Sequence, residues 1–359
     1  MGKDSSKYIG CFLGLAVGDA MGYTVDEMTF DQIRENYGPN GLLGYDLQTD
    51  YAEVTSYTQV AAFVANGLLL GITRGKQDAY LRYVTIAMRE WAKRQHFPRD
   101  PSKTWCWVAQ KPALRRRHCR DPWMLDAFRF ENLGTPQKPV NKADSPGALT
   151  AAASVAMFFD PRHMNAYQIG DLAVQTIALT HGDPDAYLSG AALAYALAGI
   201  LQEPDVALEE HFRHAADALE QQFGAKYSHA ATVAKAIRQS VKLAQSEGRD
   251  HSDDMESFIC DTASECLQAA VYAAVACPED FDSAMILAVN HSGRSAAVGA
   301  VTGAILGAKL GEAALPDFYL GSLEPIEELR ELAADLAIGG LTTGLFDDDW
   351  DEKYTHGIN

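Results

Sequence analysis

Apolar residues recur at intervals of three and four along most of this chain, which is the spacing that lines one face of an α-helix. The segments with this spacing are 8–21, 59–70, 80–94, 168–179, 188–201, 205–223, 228–247, 257–275, 281–289, 295–310 and 326–338. Alternation of apolar and polar positions, which would predict strands, is almost absent, and Gly and Pro stand between the periodic segments as helix stops. The pattern therefore predicts an all-α fold.

Glycines recur every four residues in two of the predicted helices. The two stripes comprise Gly10, Gly14 and Gly18 near the N-terminus and Gly299, Gly303, Gly307 and Gly311 near the C-terminus. Because Gly lowers helix propensity, a repeat of this kind needs a packing or binding reason. We expect the stripes to let two helix backbones approach closely. Space for a ligand against the backbone is the alternative.

The composition is that of a soluble globular protein. Of the 359 residues, 47% are apolar and 22% are charged, and the formal net charge is -18. This charge argues against nucleic acid or an anionic membrane as a partner, and no apolar run reaches the ~20 residues that cross a bilayer. The six cysteines form no CxxC pair or metal-ligand spacing, as is typical of reduced cysteines in a cytoplasmic protein. We therefore expect a cytoplasmic location, and the oligomeric state stays open.

Two local charge runs depart from the average. Residues 115–118 read Arg-Arg-Arg-His, with Arg120 close behind, inside the least regular stretch of the chain, residues 98–144. Irregular excursions of this length often carry sites, but a solvated helix face is the expected role of the run, ahead of contact with a phosphate or an acidic partner. The acidic run at 347–352 predicts a solvated C-terminal tail over residues 346–359, which leaves 1–345 as the folded domain.

Four segments, taken in order, resemble the ADP-ribosylglycohydrolase family, which includes dinitrogenase reductase-activating glycohydrolase and the ADP-ribosylarginine hydrolases. They are GCFLGLAVGDAMGYTVDEM at 10–28, VTSYTQVAAFVANGLL at 54–69, ALTHGDPDAYLSGAALA at 178–194 and AVNHSGRSAAVGAVTGAILGAKLG at 288–311. Each match alone is weak, but together they span nearly the whole chain. The resemblance implies a single-domain, compact orthogonal bundle of many helices.

The resemblance also implies a chemistry that this sequence does not support. In the family, two Mg²⁺ ions orient ADP-ribose and an attacking water, and paired metals of this kind need several carboxylates. The family's adjacent Asp pair at a helix start corresponds here to Ser56 and Tyr57. Its second Asp pair, spaced i and i+2, corresponds to Arg294 and Ala296. We therefore expect no metal cofactor.

Two of the family's positions keep an oxygen ligand. Thr55 matches the family's Thr or Ser, and Asp26 stands where the family has a Glu. Arg294 would bring a permanent cation to the site. We expect it to occupy the former metal cleft and to pair with Asp26 or a neighbouring acid. The degenerate metal-site positions are Asp26, Thr55, Ser56, Tyr57, Arg294 and Ala296.

The family's Gly-rich phosphate loop is altered as well. It corresponds to residues 146–153, where Gly147 is the one glycine retained. Loss of backbone donors lowers the expected affinity for a diphosphate. The candidate ligand-cleft residues are Ser145, Gly147, His291, Ser292 and Gly293. His181, at the family's Thr-His helix junction, is expected to play a hydrogen-bonded structural role, and Asp19 is expected to support a neighbouring loop.

These features predict an ADP-ribosylglycohydrolase-like pseudoenzyme that acts as a binding or interaction module. Its partner would be ADP-ribose or an ADP-ribosylated protein. One alternative is an active hydrolase of N- or O-glycosidic bonds that removes ADP-ribose through non-standard ligands. Another is a purely structural protein, as the family's lens crystallin relatives suggest.

Overall fold

The computed structural model describes residues 3–75, 79–97, 104–339 and 348–355, and within these ranges the regular elements are all helices. The α-helices are α1 (Ser5–Val25), α2 (Phe30–Tyr37), α3 (Ser56–Thr73), α4 (Tyr80–His96), α5 (Pro122–Ala127), α6 (Ala151–Phe158), α7 (Ala166–Ala178), α8 (Pro184–Gln202), α9 (Leu208–Phe223), α10 (His229–Ala244), α11 (His251–Glu256), α12 (Ala263–Ala276), α13 (Phe281–Val289), α14 (Ser295–Leu310), α15 (Asp317–Leu320), α16 (Ile326–Ile338) and α17 (Asp348–Tyr354). Short 3-10 turns and two isolated β-bridges complete the described part. The all-α prediction is confirmed.

Every helix predicted from periodicity is present, and the differences have local causes. The helix expected from residue 257 begins at Ala263, because Thr262 caps it through a reciprocal pair of hydrogen bonds with Glu265. Cys260 precedes this cap in a left-handed conformation (φ 55°), which no helix interior adopts. Helix α6 was not predicted: it is buried on every side and therefore has no polar face to create a period.

The two glycine stripes face each other between α1 and α14, which run antiparallel. A Cβ atom on Gly14 would overlap the carbonyl oxygen of Gly303, and one on Gly18 would overlap that of Gly299. Gly10 stands against Gly307 in the same way. The predicted close approach of two helix backbones is therefore confirmed.

This contact fixes the position of two chain segments that carry candidate site residues. The stripe continues to Gly22, which lies against the backbone of Ser295. The C-terminal end of α1, with Asp26 as its cap, is thus placed beside the N-terminal end of α14, where Arg294 is the cap residue.

Helix α1 is long and apolar enough, by length and composition alone, to cross a membrane. The expectation that no segment reaches this length was wrong, because the stretch 5–25 has a high mean hydropathy although it contains Lys7 and Asp19. In the fold α1 is a core helix, and most of it is buried against its neighbours. Its main partner is α14, and α13 and α16 cover other sides.

The C-terminal segment does not form the predicted solvated tail where the structure describes it. Helix α17 buries Trp350 and Tyr354 against the domain. The Tyr354 hydroxyl donates to Asp335 (2.7 Å), and the Trp350 indole donates to Thr73 (3.0 Å). These two aromatic anchors outweigh the acidic character of the run. Residues 346–347 and 356–359 of the predicted tail lie outside the described residues.

A methyl group between α1 and α14 should destabilise the fold. Replacing Gly14 by Ala places a Cβ against backbone atoms that cannot move aside, so we expect the free energy of unfolding to fall by about 3 kcal/mol in urea titrations. Gly44→Ala is the matched control, because a Cβ there meets open space. Equal stability of the two variants would contradict the backbone contact.

Candidate active-site junction

The predicted metal-site positions meet where α1 ends and where α3 and α14 begin. A loop formed by residues 116–121 lies beside this junction and contacts the end of α1 and the start of α3. Ser56 donates its backbone N–H to the carbonyl of His118 (2.9 Å), and its hydroxyl accepts from the N–H of Arg120 (2.9 Å). The start of α3 therefore anchors the loop. Tyr57, next along the helix, is buried.

Asp26 has a fully buried carboxylate whose oxygens are already engaged. The Arg120 guanidinium donates to Oδ2 through Nε and Nη2, each at 2.9 Å. The backbone N–H of Ala296 donates to Oδ1 (3.1 Å). Burial raises the pKa of Asp26, while Arg120, the Ala296 N–H and the charge of Arg294 act in the opposite direction. Donors of the protein itself, from Arg120 and Ala296, therefore hold this carboxylate in place.

Arg120 was missed by the sequence analysis, which placed the basic run on a solvated helix face. That prediction was wrong, because residues 116–121 form a loop and not a helix. The Arg120 guanidinium also lies 5.4 Å from the centre of the Tyr23 ring and 3.7 Å from Glu27. Arg116 binds Glu53 and Glu324. The irregularity of the stretch 98–144 was the available signal.

Arg294 pairs with a neighbouring acid, although not with Asp26. Its Nη1 donates to Glu27 (2.7 Å), and its Nε lies 3.8 Å from Asp261. Glu27 is brought there by its own backbone, since its N–H donates to the carbonyl of Gly293 (2.9 Å). Each guanidinium therefore has its own main carboxylate partner: Arg120 pairs with Asp26, and Arg294 pairs with Glu27.

Asp19 supports the start of α3, whereas the sequence predicted that it supports a neighbouring loop. Its carboxylate accepts four hydrogen bonds, from the N–H and the hydroxyl of both Thr55 and Thr58, at 2.6 to 3.0 Å. Thr55 in turn caps α3 by accepting from the N–H of Tyr57. Burial raises the pKa of Asp19 to about 6, although the four hydrogen bonds favour the charged form. The hydroxyl of Thr55 is therefore committed to an internal partner.

A second internal carboxylate, that of Asp121, contacts residues 145–147, at the start of the stretch predicted to correspond to the family's Gly-rich loop. Asp121 Oδ2 accepts from the Ser145 hydroxyl (2.6 Å), from the His181 Nε2 (3.0 Å) and from the N–H of Gly147 (3.2 Å). Burial alone would raise the pKa of Asp121, but the hydrogen bonds and charge of His181 outweigh it, and the pKa lies below its ordinary value. This arrangement agrees with a structural role for His181.

The cluster of Asp121, Ser145 and His181 does not have the geometry of a catalytic Ser-His-Asp triad. In a Ser-His-Asp triad the two imidazole nitrogens bridge different partners, one to the hydroxyl and one to the carboxylate. Here Nε2 of His181 faces both Asp121 and Ser145, and its Nδ1 meets the hydroxyl of Thr180 at 2.9 Å. Ser145 donates to the carboxylate of Asp121 and not to the imidazole, so His181 is not placed to take the proton of its hydroxyl.

The remaining candidate ligand-cleft residues form a closed turn before α14. The Ser292 hydroxyl donates to Glu256 (2.7 Å) and accepts from the N–H of Phe30 (2.9 Å). His291 is fully buried, with Nδ1 at 2.7 Å from the carbonyl of Ser292. Gly293 has φ 108°, which favours glycine at this turn. The hydroxyl of Ser292 is thus engaged with other parts of the chain, whereas the buried Nε2 of His291 has no hydrogen-bond partner among the described residues.

A cleft of about 480 Å³ borders the junction through Arg120. It lies between the C-terminal half of α1 and residues 45–53, and Tyr37 of α2 contributes to one side. Its lining residues are Ala20, Tyr23, Thr24, Met28, Tyr37, Tyr45, Asp46, Leu47, Gln48, Thr49, Tyr51, Ala52, Glu53 and Arg120. The sequence does not predict this cleft, because its tyrosines are scattered between residues 23 and 51 without a motif.

One other group could offer ligand atoms to a cation. Asp183, Asp185 and His229 have ligand atoms within 4.8 Å of one another. Asp183 is the N-cap of α8 and accepts from the N–H of Asp185, so helix capping accounts for part of this group. It shares no residue with the predicted metal-site positions.

Comparison with known proteins identifies one family. The family model described as ADP-ribosylglycohydrolase matches residues 2–344. Among solved structures, the chain is similar to one titled "ADP-ribosylglycohydrolase-related protein complex", with 22% sequence identity and a TM-score of 0.58. That match covers 94% of this chain and 98% of the other. No curated protein matches.

Removing the guanidinium over Asp26 should leave a buried, uncompensated charge. We expect Arg120→Met to lower the free energy of unfolding by about 3 kcal/mol, because loss of one partner of a buried pair is costly. Asp26→Asn in the same chain should recover at least half of the loss. The matched control is Arg129→Met, since Arg129 is 79% exposed in its pair with Asp126 and should cost little. A double variant no more stable than Arg120→Met would contradict the pairing.

The raised pKa of Asp19 predicts a pH dependence with a definite sign. The folded state binds a proton more tightly than the unfolded state, so the contribution is fully present below the unfolded pKa of 3.8 and is lost as pH rises through about 6. Because pH 4 already lies slightly above the unfolded pKa, the wild type should lose roughly 2 kcal/mol of unfolding free energy relative to Asp19→Asn between pH 4 and pH 7. Urea titrations at both pH values measure this difference. A relative gain on raising the pH would show instead that the threonine hydrogen bonds hold the carboxylate ionised.

Proposed function

The chain belongs to the ADP-ribosylglycohydrolase family, and we propose that it is a member without the dinuclear magnesium site, which serves as a binding or interaction module. The observation that carries this proposal is the pairing of Asp26 with Arg120 inside the junction. The single carboxylate among the predicted metal-site positions is thereby neutralised by the protein's own cation.

The ligand set at the junction does not fit two magnesium ions. Mg²⁺ requires near-octahedral oxygen coordination, and two such ions need several carboxylates to offset their charge. Besides the Tyr57 hydroxyl, the side-chain oxygens at the predicted metal-site positions belong to Asp26, Thr55 and Ser56, and each of these three side chains makes hydrogen bonds within the chain. A metal would have to break those bonds before it could bind. No catalytic step through magnesium is therefore assigned to these residues.

The positive charges at the junction also disfavour magnesium binding. Arg120 contacts Asp26 directly. Arg294 does not contact Asp26, but its positive charge lowers the pKa of that carboxyl. A guanidinium and a divalent cation 4 Å apart repel each other by roughly 8 kcal/mol at an effective dielectric of about 20. Hydroxyl groups and one shared carboxylate do not offset a penalty of that size.

The contacts of the altered Gly-rich loop indicate a low affinity for the phosphates of ADP-ribose. The N–H of Gly147 is the kind of donor that cradles a phosphate, and it already donates to the carboxylate of Asp121. An incoming diphosphate would have to displace a carboxylate that is also bound by Ser145 and His181. This internal anion supports a protein partner over free ADP-ribose as the ligand of the module.

Loss of the metal site predicts that ADP-ribose binding does not depend on Mg²⁺. In calorimetric titrations of the full chain with ADP-ribose, we expect no difference between samples with Mg²⁺ and samples with chelator, because no metal bridges ligand and protein. Incubation with arginine- or serine-ADP-ribosylated protein should release no ADP-ribose above the buffer rate.

The same measurements separate the alternatives. Release of ADP-ribose that chelator abolishes would establish an active hydrolase with unusual ligands and would overturn the proposal. No heat with ADP-ribose at about 1 mM, a concentration that detects even weak complexes, would leave a scaffold or protein-binding role. An inactive, unrelated protein of similar charge serves as the control for non-specific heat.

A further inference from the structure

The cleft beside the junction has an aromatic lining that the proposed function does not explain. Four tyrosines line it: Tyr23, Tyr37, Tyr45 and Tyr51. Its volume of about 480 Å³ lies within the range of small-molecule sites. Tyr51 is 54% exposed and the neighbouring Leu47 is 41% exposed, so part of the lining is open to a partner.

The chain itself places a cation against one of these rings. The Arg120 guanidinium lies 5.4 Å from the centre of Tyr23, within the distance at which a ring face attracts a positive charge. The ion pair with Asp26 fixes the guanidinium of Arg120 in this position. In the described part of the chain, no Lys or Arg lies over the rings of Tyr37, Tyr45 or Tyr51.

The charges around the cleft favour a positive ligand. Asp46 and Glu53 line it, and the one lining guanidinium, Arg120, is compensated by Asp26. Glu53 shares the guanidinium of Arg116 with a second carboxylate, Glu324. The balance is negative, so an anion such as a phosphate is disfavoured.

The hydrogen bonds in the cleft favour a cation that carries no N–H groups. Oδ2 of Asp46 already accepts from Tyr37 (2.9 Å) and Gln48 (3.3 Å). Glu53 is engaged by Arg116 (2.9 Å) and lies 3.6 Å from His118. A guanidinium or primary ammonium brings several donors that need acceptors when water is removed. A quaternary ammonium has none to satisfy and is attracted by charge and ring faces alone.

We infer that this cleft binds a quaternary ammonium group, carried either by a small molecule or by a trimethylated lysine of a protein. The inference rests on the proposed function only in treating the chain as a binding module. It requires neither metal nor ADP-ribose, so its test succeeds or fails independently of magnesium and hydrolysis.

The test compares ligands of equal shape and different charge. The full-length chain is titrated by calorimetry with choline and with 3,3-dimethyl-1-butanol, in which a neutral carbon replaces the nitrogen. Choline should bind about tenfold more tightly, as a cation held among tyrosine rings does. Equal affinities, or no heat with choline up to about 10 mM, would overturn the inference.

Peptides distinguish the two sources of the cation. A short flexible peptide with one trimethyllysine is compared with choline and with the same peptide carrying unmodified lysine. Tighter binding of the trimethyllysine peptide assigns a protein partner, and tighter binding of choline assigns a small molecule. Equal binding of the methylated and unmodified peptides would contradict a site selective for quaternary ammonium.

Variants of one exposed tyrosine locate the site without endangering the fold. Tyr51→Leu removes the ring and should weaken choline binding about tenfold, whereas Tyr51→Phe keeps the ring face and should bind like wild type. Tyr167→Leu is the control, since Tyr167 is 46% exposed on α7 and does not line the cleft. Unchanged affinity in Tyr51→Leu would show that the ligand binds elsewhere.

Discussion

The direct backbone contact between α1 and α14 is the constraint on which the junction depends. Glycines on both helices allow each carbonyl to lie where a side chain would otherwise stand. This packing brings the end of α1 beside the start of α14, so the carboxylate of Asp26 reaches the N–H of Ala296. The contact therefore brings the predicted metal-site positions of α1 and α14 together, and on the proposed account their side chains no longer form a metal-ligand set.

Within that geometry, the chain satisfies its own charges. The loop 116–121 supplies Arg120 to Asp26 and Asp121 to the N–H of Gly147, so one loop provides both a cation and an anion. On the proposed account, these internal groups take the places of metal and phosphate. Asp121 is buried, Arg120 is half-buried over the fully buried carboxylate of Asp26, and both are hydrogen-bonded, which makes displacement by a ligand costly. The exposed tyrosine-lined cleft is then the part of this region that stays open to a partner.

Much of the fold could be predicted from the sequence because its signals are local. Helical periodicity located α3, α8 and α14, and the spacing of Gly14 and Gly303 indicated the helix contact. The position of Arg120 could not be predicted, since the loop has no period and its place depends on contacts with distant residues. Helix α17 could not be predicted from the acidic run either, because it packs on the domain through two aromatic side chains that stand among the charged residues.

The most direct measurement of the central claim is a crystal of the full chain soaked in Mn²⁺, which occupies Mg²⁺ sites and gives an anomalous signal. The account predicts continuous density between the Arg120 guanidinium and the Asp26 carboxylate, with no anomalous peak among Asp26, Ser56 and Arg294. Two ordered peaks at that junction, with Arg120 displaced, would contradict it and would identify a metal-dependent hydrolase.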